Sequence, residues 1–440
     1  MLLDLLYLAA ALLLLPWVAW RKLSGGRPVA APWRRFLGAV PRRPREPGVA
    51  RLWLHGVSVG EVQLLAVLAA EIDRQAERDR RRVECLVSSS TVTGLDVAAK
   101  RFGSERVFAC PLDFSWAVAR TLRAVEPDLL VLGELELWPN LLAAASRRGI
   151  PVIVANGRMS AASARGYARI APLVRRMLGH VRLVTARSAD DAERFRRHGA
   201  RDVTDVGSMK FDLVKGDRDA PDVCRLRALA GFGNDDIVFL AGSTQDPEER
   251  LALETFVALR DRHPALRLVI VPRHVERTPQ IAALLDRSGV GWRARSTLAT
   301  GGAPPDARVV LVDTTGELAW WWGVATVAFV GGSLDGRRGG QNMLEPAAYG
   351  AATCFGPFTR NFAVEVATLL AADAATVVAD GTELTAFVAR CLDDPGWAAA
   401  RGARARATVA GHRGATAATA RRIVGCLPPA APPSGFAAPG

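Results

Sequence analysis

The sequence has no C-x-x-C pair. Its six cysteines (Cys85, Cys110, Cys224, Cys354, Cys391 and Cys426) are scattered along 440 residues. That excludes zinc-ribbon spacing and a disulfide framework, and points to reduced thiols in a cytosolic compartment. There is no Walker A sequence and no dinucleotide fingerprint. Histidine, cysteine and carboxylates never cluster at ligand spacing, so neither a catalytic metal nor a cofactor is expected. No internal repeat is present. Acidic residues are in deficit: 44 Asp and Glu face 57 Lys and Arg, for a net charge of +13. Such an excess asks for an acidic partner, whether nucleic acid, an anionic membrane or a phosphorylated substrate. Much of it lies early, in Arg21, Lys22, Arg27, Arg34, Arg35, Arg42, Arg43 and Arg45. No recognised nucleic-acid module accompanies these charges, so nucleic acid is not the expected partner.

What is present begins with Leu2 to Trp20, an apolar run broken by Asp4 and Pro16 and followed at once by Arg21 and Lys22. Its length suits a bilayer crossing or partial insertion into one leaflet. The charges follow the run instead of preceding it, which argues against a cleaved signal peptide. They also predict that everything beyond stays cytoplasmic. Residues 1–22 are therefore expected to be an uncleaved membrane anchor.

Short apolar runs then alternate with amphipathic stretches: "VECLVSSS", "VFACPLD", "LLVLGELELW", "IPVIVANGR", "VRLVTARS". Such alternation predicts parallel sheets with helices on both faces. The pattern breaks into charges, Gly and Pro at "KFDLVKGDRDAPD", which reads as a linker, and restarts with "DIVFLAGST". Two Rossmann-like domains are expected, over residues 23–215 and 216–426, with a disordered Pro/Ala/Gly-rich tail over 427–440. Asp217 and Asp219 of "DRD" read as solvated linker acids, and Trp320 to Trp322 as packing residues.

The stretch "LWLHGVSVGEVQ" at 52–63 reads as strand, glycine-flanked turn and helix, with Glu61 in the first helical turn. There the helix dipole favours an ionised carboxylate. Two readings stand: a helix-start acid, or a general base at the carboxyl end of a strand, where open α/β sheets bind ligands. In the second half three loops each follow a strand. "VPRH" presents Pro272, Arg273 and His274; "DTTGEL" presents Gly316 and Glu317; "GGSLDGRRGGQNMLEP" leads to Asn342 and Glu345. Each alone is ordinary turn chemistry. Together on one sheet end, their N–H groups, arginine and helix starts suit a phosphate, and Glu345 suits a ribose.

The strings "HGVSVGE", "GELELWPN", "ANGRMSAASARGY", "GSMKFD", "VPRH", "TGEL" and "GGQNMLEP" together resemble the 3-deoxy-D-manno-octulosonic acid (Kdo) transferases of lipopolysaccharide synthesis, in order and over most of the chain. The resemblance implies an α/β GT-B glycosyltransferase, two Rossmann-like domains facing across a cleft, anchored at the cytoplasmic side of a bacterial inner membrane. It implies CMP-Kdo as donor and, as acceptor, the acylated, bisphosphorylated glucosamine disaccharide that precedes lipid A, met among inner-membrane lipids. By the same resemblance Glu61 is the general base, and Glu134 and Lys210 stabilise the transition state. CMP contacts fall on Pro272, Arg273, Thr315, Gly316, Glu317, Asn342, Met343, Leu344 and Glu345, with no metal. Three positions depart from the family's pattern: Gln245 and Gln341 stand where histidine is usual, and Thr315 where methionine is common. Glutamine donates a hydrogen bond but cannot titrate. The alternatives are another nucleotide-sugar enzyme of the same fold, or a membrane-tethered basic binding protein without catalysis.

Overall fold

The computed structural model describes residues 3–9, 12–13, 30–300 and 307–428. The chain forms two compact units, Met1–Asp212 with Gly414–Gly440, and Leu213–Arg413. The first is built on seven strands: β1 (Val49–His55), β2 (Arg82–Ser89), β3 (Val107–Ala109), β4 (Leu129–Gly133), β5 (Val152–Gly157), β6 (Leu183–Ala186) and β7 (Val203–Asp205). They lie in the order β3-β2-β1-β4-β5-β6-β7, all parallel. A parallel sheet is covered on both faces, so its central strands read as unbroken apolar runs. Leu52 to Leu54 of β1 and Leu129 to Leu132 of β4 are all fully buried. The order reverses between β1 and β4, which opens a crevice at their carboxyl ends.

The amino end of β1 explains part of the basic linker. Arg51 is 1% exposed, and its guanidinium donates to Glu84 Oε2 at 2.9 Å, Val125 O at 2.9 Å and Pro44 O at 2.7 Å. Arg43 pairs with the same Glu84, Arg42 with Glu126 and Arg45 with Asp128. Arg35 donates to Cys110 O at 2.8 Å. These charges bind the linker to its own domain.

The second unit repeats the plan with β8 (Ile237–Thr244), β9 (Leu266–Pro272), β10 (Trp292–Ala294), β11 (Val309–Leu311), β12 (Val327–Val330), β13 (Ala352–Phe355) and β14 (Ala375–Val377). The order is β10-β11-β9-β8-β12-β13-β14, again parallel throughout, reversing between β8 and β12. Trp321 and Trp322 are buried in this unit. Asp217 and Asp219 are exposed, while Arg218 between them turns inward to Tyr349 O, Gly323 O and Ala325 O.

Two terminal features differ from the sequence reading. The helix Ala415–Gly425, expected in a second domain running to 426, belongs to the first unit, where it packs on the helix Val59–Arg78. Asp212 fixes its start: its carboxylate accepts from Gly414 N–H and Thr416 N–H, each at 2.7 Å. At the other end, residues 3–9 are helical and docked. Asp4, the acid that breaks the apolar run, is 5% exposed and accepts from Ser115 N–H at 2.7 Å. It thereby satisfies an otherwise unpaired donor at the start of the helix Ser115–Val125. The Tyr7 hydroxyl donates to Asp113 at 3.1 Å. Leu5, Leu6, Leu12 and Leu13 remain exposed. Among the described residues no helix is long and apolar enough to cross a membrane; much of the expected anchor (residues 1–2, 10–11 and 14–22) and nearly all of the expected tail (from 429) lie outside the described residues.

Candidate active site

The crevice of the first sheet holds carboxylates. β1 ends at His55, and Ser58 caps the helix Val59–Arg78, its hydroxyl oxygen accepting from Glu61 N–H at 3.2 Å. Glu61 reaches back in turn: Oε2 accepts from Val57 N–H at 2.9 Å and Oε1 from the Ser58 hydroxyl at 2.7 Å. This is a capping-box arrangement, worth about 1 kcal/mol to the helix. The helix-start reading of Glu61 therefore holds. Capping fixes the rotamer, and each oxygen keeps a further lone pair for another partner. Gly133, the last residue of β4, lies against the end of β1: a methyl built there would lie 3.2 Å from His55 O and 3.7 Å from Glu61 Oε2.

Glu134 follows directly, with φ +54°, a left-handed turn that swings the chain out of the strand. Glu61, Gly133, Glu134, Asn156 and Met209 line one small cavity. Lys210 adjoins it: Asn156 Oδ1 accepts from Met209 N–H at 3.0 Å, which holds the short turn Met209–Asp212 at the carboxyl edge. The structure thus gathers Glu61, Glu134 and the Lys210 turn from three distant parts of the first unit. Burial pushes the Glu61 carboxyl above its ordinary range, and the charge of Glu134 adds to the rise, against the hydrogen bonds from Val57 and Ser58.

Two further groups at this edge escaped the sequence reading. Glu136, the second acid of "GELELW", is pushed up to about 7, by burial first and then by the charge of Glu61. It accepts from Trp138 Nε1 at 3.0 Å and lies 3.9 Å from His55 Nε2. His55 is fully buried, and burial pulls it down to about 4. It is neutral beside Glu136, so the contact is not an ion pair. The "HG" before the turn and the repeated acid in "GELEL" were the available signals.

The second sheet's edge differs. Pro272 ends β9, and Arg273 N–H donates to Thr244 O at 2.9 Å; the Arg273 side chain is exposed. Glu345, at the start of the helix Leu344–Ala348, accepts from Asn342 Nδ2 at 3.1 Å and from Trp322 Nε1 at 2.9 Å. Burial raises its pKa, opposed by those two bonds and by the charge of Arg273. Arg273, Asn342 and Glu345 are thus brought together. Met343 and Leu344 bury their side chains completely, and Leu344 N–H is held by Asn342 Oδ1 at 3.2 Å. Thr315 and Gly316 are exposed after β11. Glu317 is occupied: it accepts from Arg295 at 2.8 Å and Thr314 Oγ1 at 2.7 Å. Burial alone would raise it, but those bonds bring it below the ordinary range.

One expectation changes. The glycine-rich loop after β12 was to offer its N–H groups to a phosphate. Glu248, 2% exposed, already takes them: Gly332 N–H at 2.7 Å, Ser333 N–H at 3.0 Å and Leu334 N–H at 3.2 Å, with Gln245 N–H at 2.9 Å. The nest exists, but it is filled by the protein's own carboxylate.

Two parallel seven-stranded sheets, each with polar groups at its reversal point, define a two-unit α/β protein of the GT-B-like class. A solved UDP-GlcNAc 2-epimerase from Neisseria meningitidis shares this fold, with a TM-score of 0.56 over 86% of this chain and 99% of its own, at 12% identity. A family model described as 3-deoxy-D-manno-octulosonic-acid transferase matches residues 31–213. The 3-deoxy-D-manno-octulosonic acid transferase of Bordetella pertussis is 33% identical, covering 93% of this chain and 94% of its own length. That of Haemophilus influenzae is 32% identical over 71% of each. The chain belongs to the Kdo transferase family, whose members are glycosyltransferases.

Proposed function

We propose that this chain transfers Kdo from CMP-Kdo, with inversion, to the acylated, bisphosphorylated glucosamine disaccharide that precedes lipid A. The observation that carries the reading is the meeting of Glu61 and Glu134 around one cavity at the reversal point of the first sheet, in a chain of this family. A sugar hydroxyl is a poor nucleophile, so a base must take its proton as the new bond forms. Glu61 fills that role. Its rotamer is fixed by two hydrogen bonds, and its raised pKa makes it a stronger base than a solvated glutamate. The acceptor oxygen bonds to the anomeric carbon of Kdo, the bond from that carbon to the phosphate oxygen breaks, and the proton passes to Glu61. Lys210 balances charge on the departing CMP phosphate or the Kdo carboxylate, and Glu134 acts beside the base on the oxocarbenium-like centre. Arg273 meets the CMP phosphate, while Asn342 and Glu345 take the ribose. Glu317 then serves by holding its loop, with Thr315 and Gly316 offering main-chain contacts.

Residues 1–22 hold the protein at the cytoplasmic side of the bacterial inner membrane, where the lipid acceptor resides. Asp4 and Tyr7 face the first unit while Leu5, Leu6, Leu12 and Leu13 face outward. That division favours a segment lying in the plane of one leaflet. The test is purified protein with freshly generated CMP-Kdo and the lipid A precursor, products read by mass. A mass increase by whole Kdo units is expected, together with protection from heat by CMP and not by uridine nucleotides. No Kdo addition, or protection by uridine nucleotides instead, contradicts the reading.

A further inference from the structure

At the carboxyl edge of the second sheet, three polar groups are left over at the reversal point between β8 and β12. Thr244, the last residue of β8, is fully buried, and its Oγ1 has no hydrogen-bond partner. Gln245, next in the chain, is 5% exposed. Its backbone is locked by Glu248, yet its side-chain amide has no partner among the described residues. Gln341 arrives from the far end of the glycine-rich loop because Gly340 N–H donates to Gly332 O at 2.8 Å and closes the loop on itself. Its amide is likewise without a partner among the described residues. The two glutamines converge on Gly332: a methyl built there would lie 3.2 Å from Gln245 Nε2 and 3.4 Å from Gln341 Nε2.

A buried polar group without a partner forfeits the water it gave up with nothing in return. Glu248 satisfies three N–H groups of the loop and that of Gln245, whereas the two amides that meet over Gly332 and the buried hydroxyl beside Gln245 in the chain are left over and call for a ligand. Their chemistry limits what it is. Amides offer neutral donors and acceptors together, which suits a sugar acid that presents a carboxylate beside ring hydroxyls. Arg273 lies one strand over, at the end of β9, in the electrostatic reach of Glu345.

Building on the CMP-Kdo reading above, we infer that Thr244, Gln245 and Gln341 form a subsite for the sugar acid of the donor, holding its carboxylate and a ring hydroxyl, distinct from the groups that hold CMP. Gly332 is the floor of that subsite, where any side chain would displace both amides.

The test compares affinities for CMP and for freshly generated CMP-Kdo without acceptor, so that it reads binding whether or not transfer occurs. Wild type should bind CMP-Kdo more tightly than CMP. Gln245→Leu and Gln341→Leu, of similar volume, should each remove about tenfold of that preference and leave the CMP affinity within about twofold. Gln341→His should restore binding in a pH-dependent way, with CMP-Kdo affinity rising as pH falls through about 6.5 while CMP affinity stays flat. Equal affinity of wild type for CMP and CMP-Kdo would overturn the subsite. So would a parallel loss of both affinities in the leucine variants, which would assign the amides to the nucleotide. Absence of Kdo transfer by a protein that still prefers CMP-Kdo would overturn the proposed reaction and leave the subsite standing.

Discussion

The two sheet edges share a plan and differ in how they treat their acids. At the first, Glu61, Glu134 and Glu136 crowd together, and burial plus mutual repulsion raises Glu61 and brings Glu136 to about 7. At the second, three acids are committed: Glu248 to four N–H groups, Glu317 to Arg295 and Thr314, Glu345 to Asn342 and Trp322. Among the described residues, the groups there without a side-chain partner include Arg273 and the amides of Gln245 and Gln341. Crowded carboxylates such as Glu61 and Glu136, whose pKa burial and repulsion raise, are equipped to move protons; committed ones are equipped to hold loops still. The comparison supports the proposed division, with chemistry in the first unit and donor binding in the second.

The largest break in that comparison should come at Glu248. Glutamine has nearly the same volume but leaves at least one of the loop's N–H groups facing a second donor. Each unsatisfied group costs about 1–3 kcal/mol, so Glu248→Gln should lower the melting temperature and lose CMP affinity. Hydrogen exchange should quicken at residues 332–334. Unchanged exchange there would show that the loop is held by something else.

A smaller effect is expected from Glu345→Ala. It leaves Trp322 Nε1 and Asn342 Nδ2 without their acceptor and removes the proposed ribose contact. CMP affinity, followed by calorimetry, should fall by about 1–3 kcal/mol. Full affinity would remove Glu345 from the donor site.

The smallest is a pH effect at the first edge. Glu136 is raised to about 7 in the folded protein, against about 4.3 unfolded. Its contribution is therefore fully present below about pH 4.3 and lost as pH rises through about 7. Glu136→Gln should flatten part of the decline in melting temperature between pH 5 and 8. Identical slopes in the two proteins would mean that Glu136 titrates elsewhere.

How much of this was legible beforehand follows from the range of each interaction. The parallel strands were readable because strands such as β1, β4 and β8 are covered on both faces and therefore apolar along most of their length. Glu61 was readable as a helix-start acid, since Ser58 and the glycines are its near neighbours. Its special place was not. Ser188 and Asp191 repeat the same spacing at the end of β6, but Asp191 is 2% exposed, paired with Arg187 at 3.0 Å and bonded to Met159 N–H. Glu61 instead stands beside the reversal of strand order between β1 and β4. Glu248 in "DPEER" looks like a surface acid because its loop partners lie 84 to 86 residues onward. Asp4 reads as a flaw in an apolar run because Ser115 is 111 residues away. The return of the last helix to the first unit has the same cause, Asp212 meeting Gly414 across 202 residues.

The division between the two edges is tested most directly by pairing one variant from each. Glu61→Gln and Arg273→Ala are assayed side by side for CMP affinity and for turnover at saturating CMP-Kdo. Glu61→Gln should lose about a hundredfold or more in turnover and bind CMP as wild type does. Arg273→Ala should lose about 1–3 kcal/mol of CMP affinity and keep turnover within a few fold once donor saturates. Near-normal turnover in Glu61→Gln, or a turnover defect in Arg273→Ala that saturation does not relieve, would contradict the assignment.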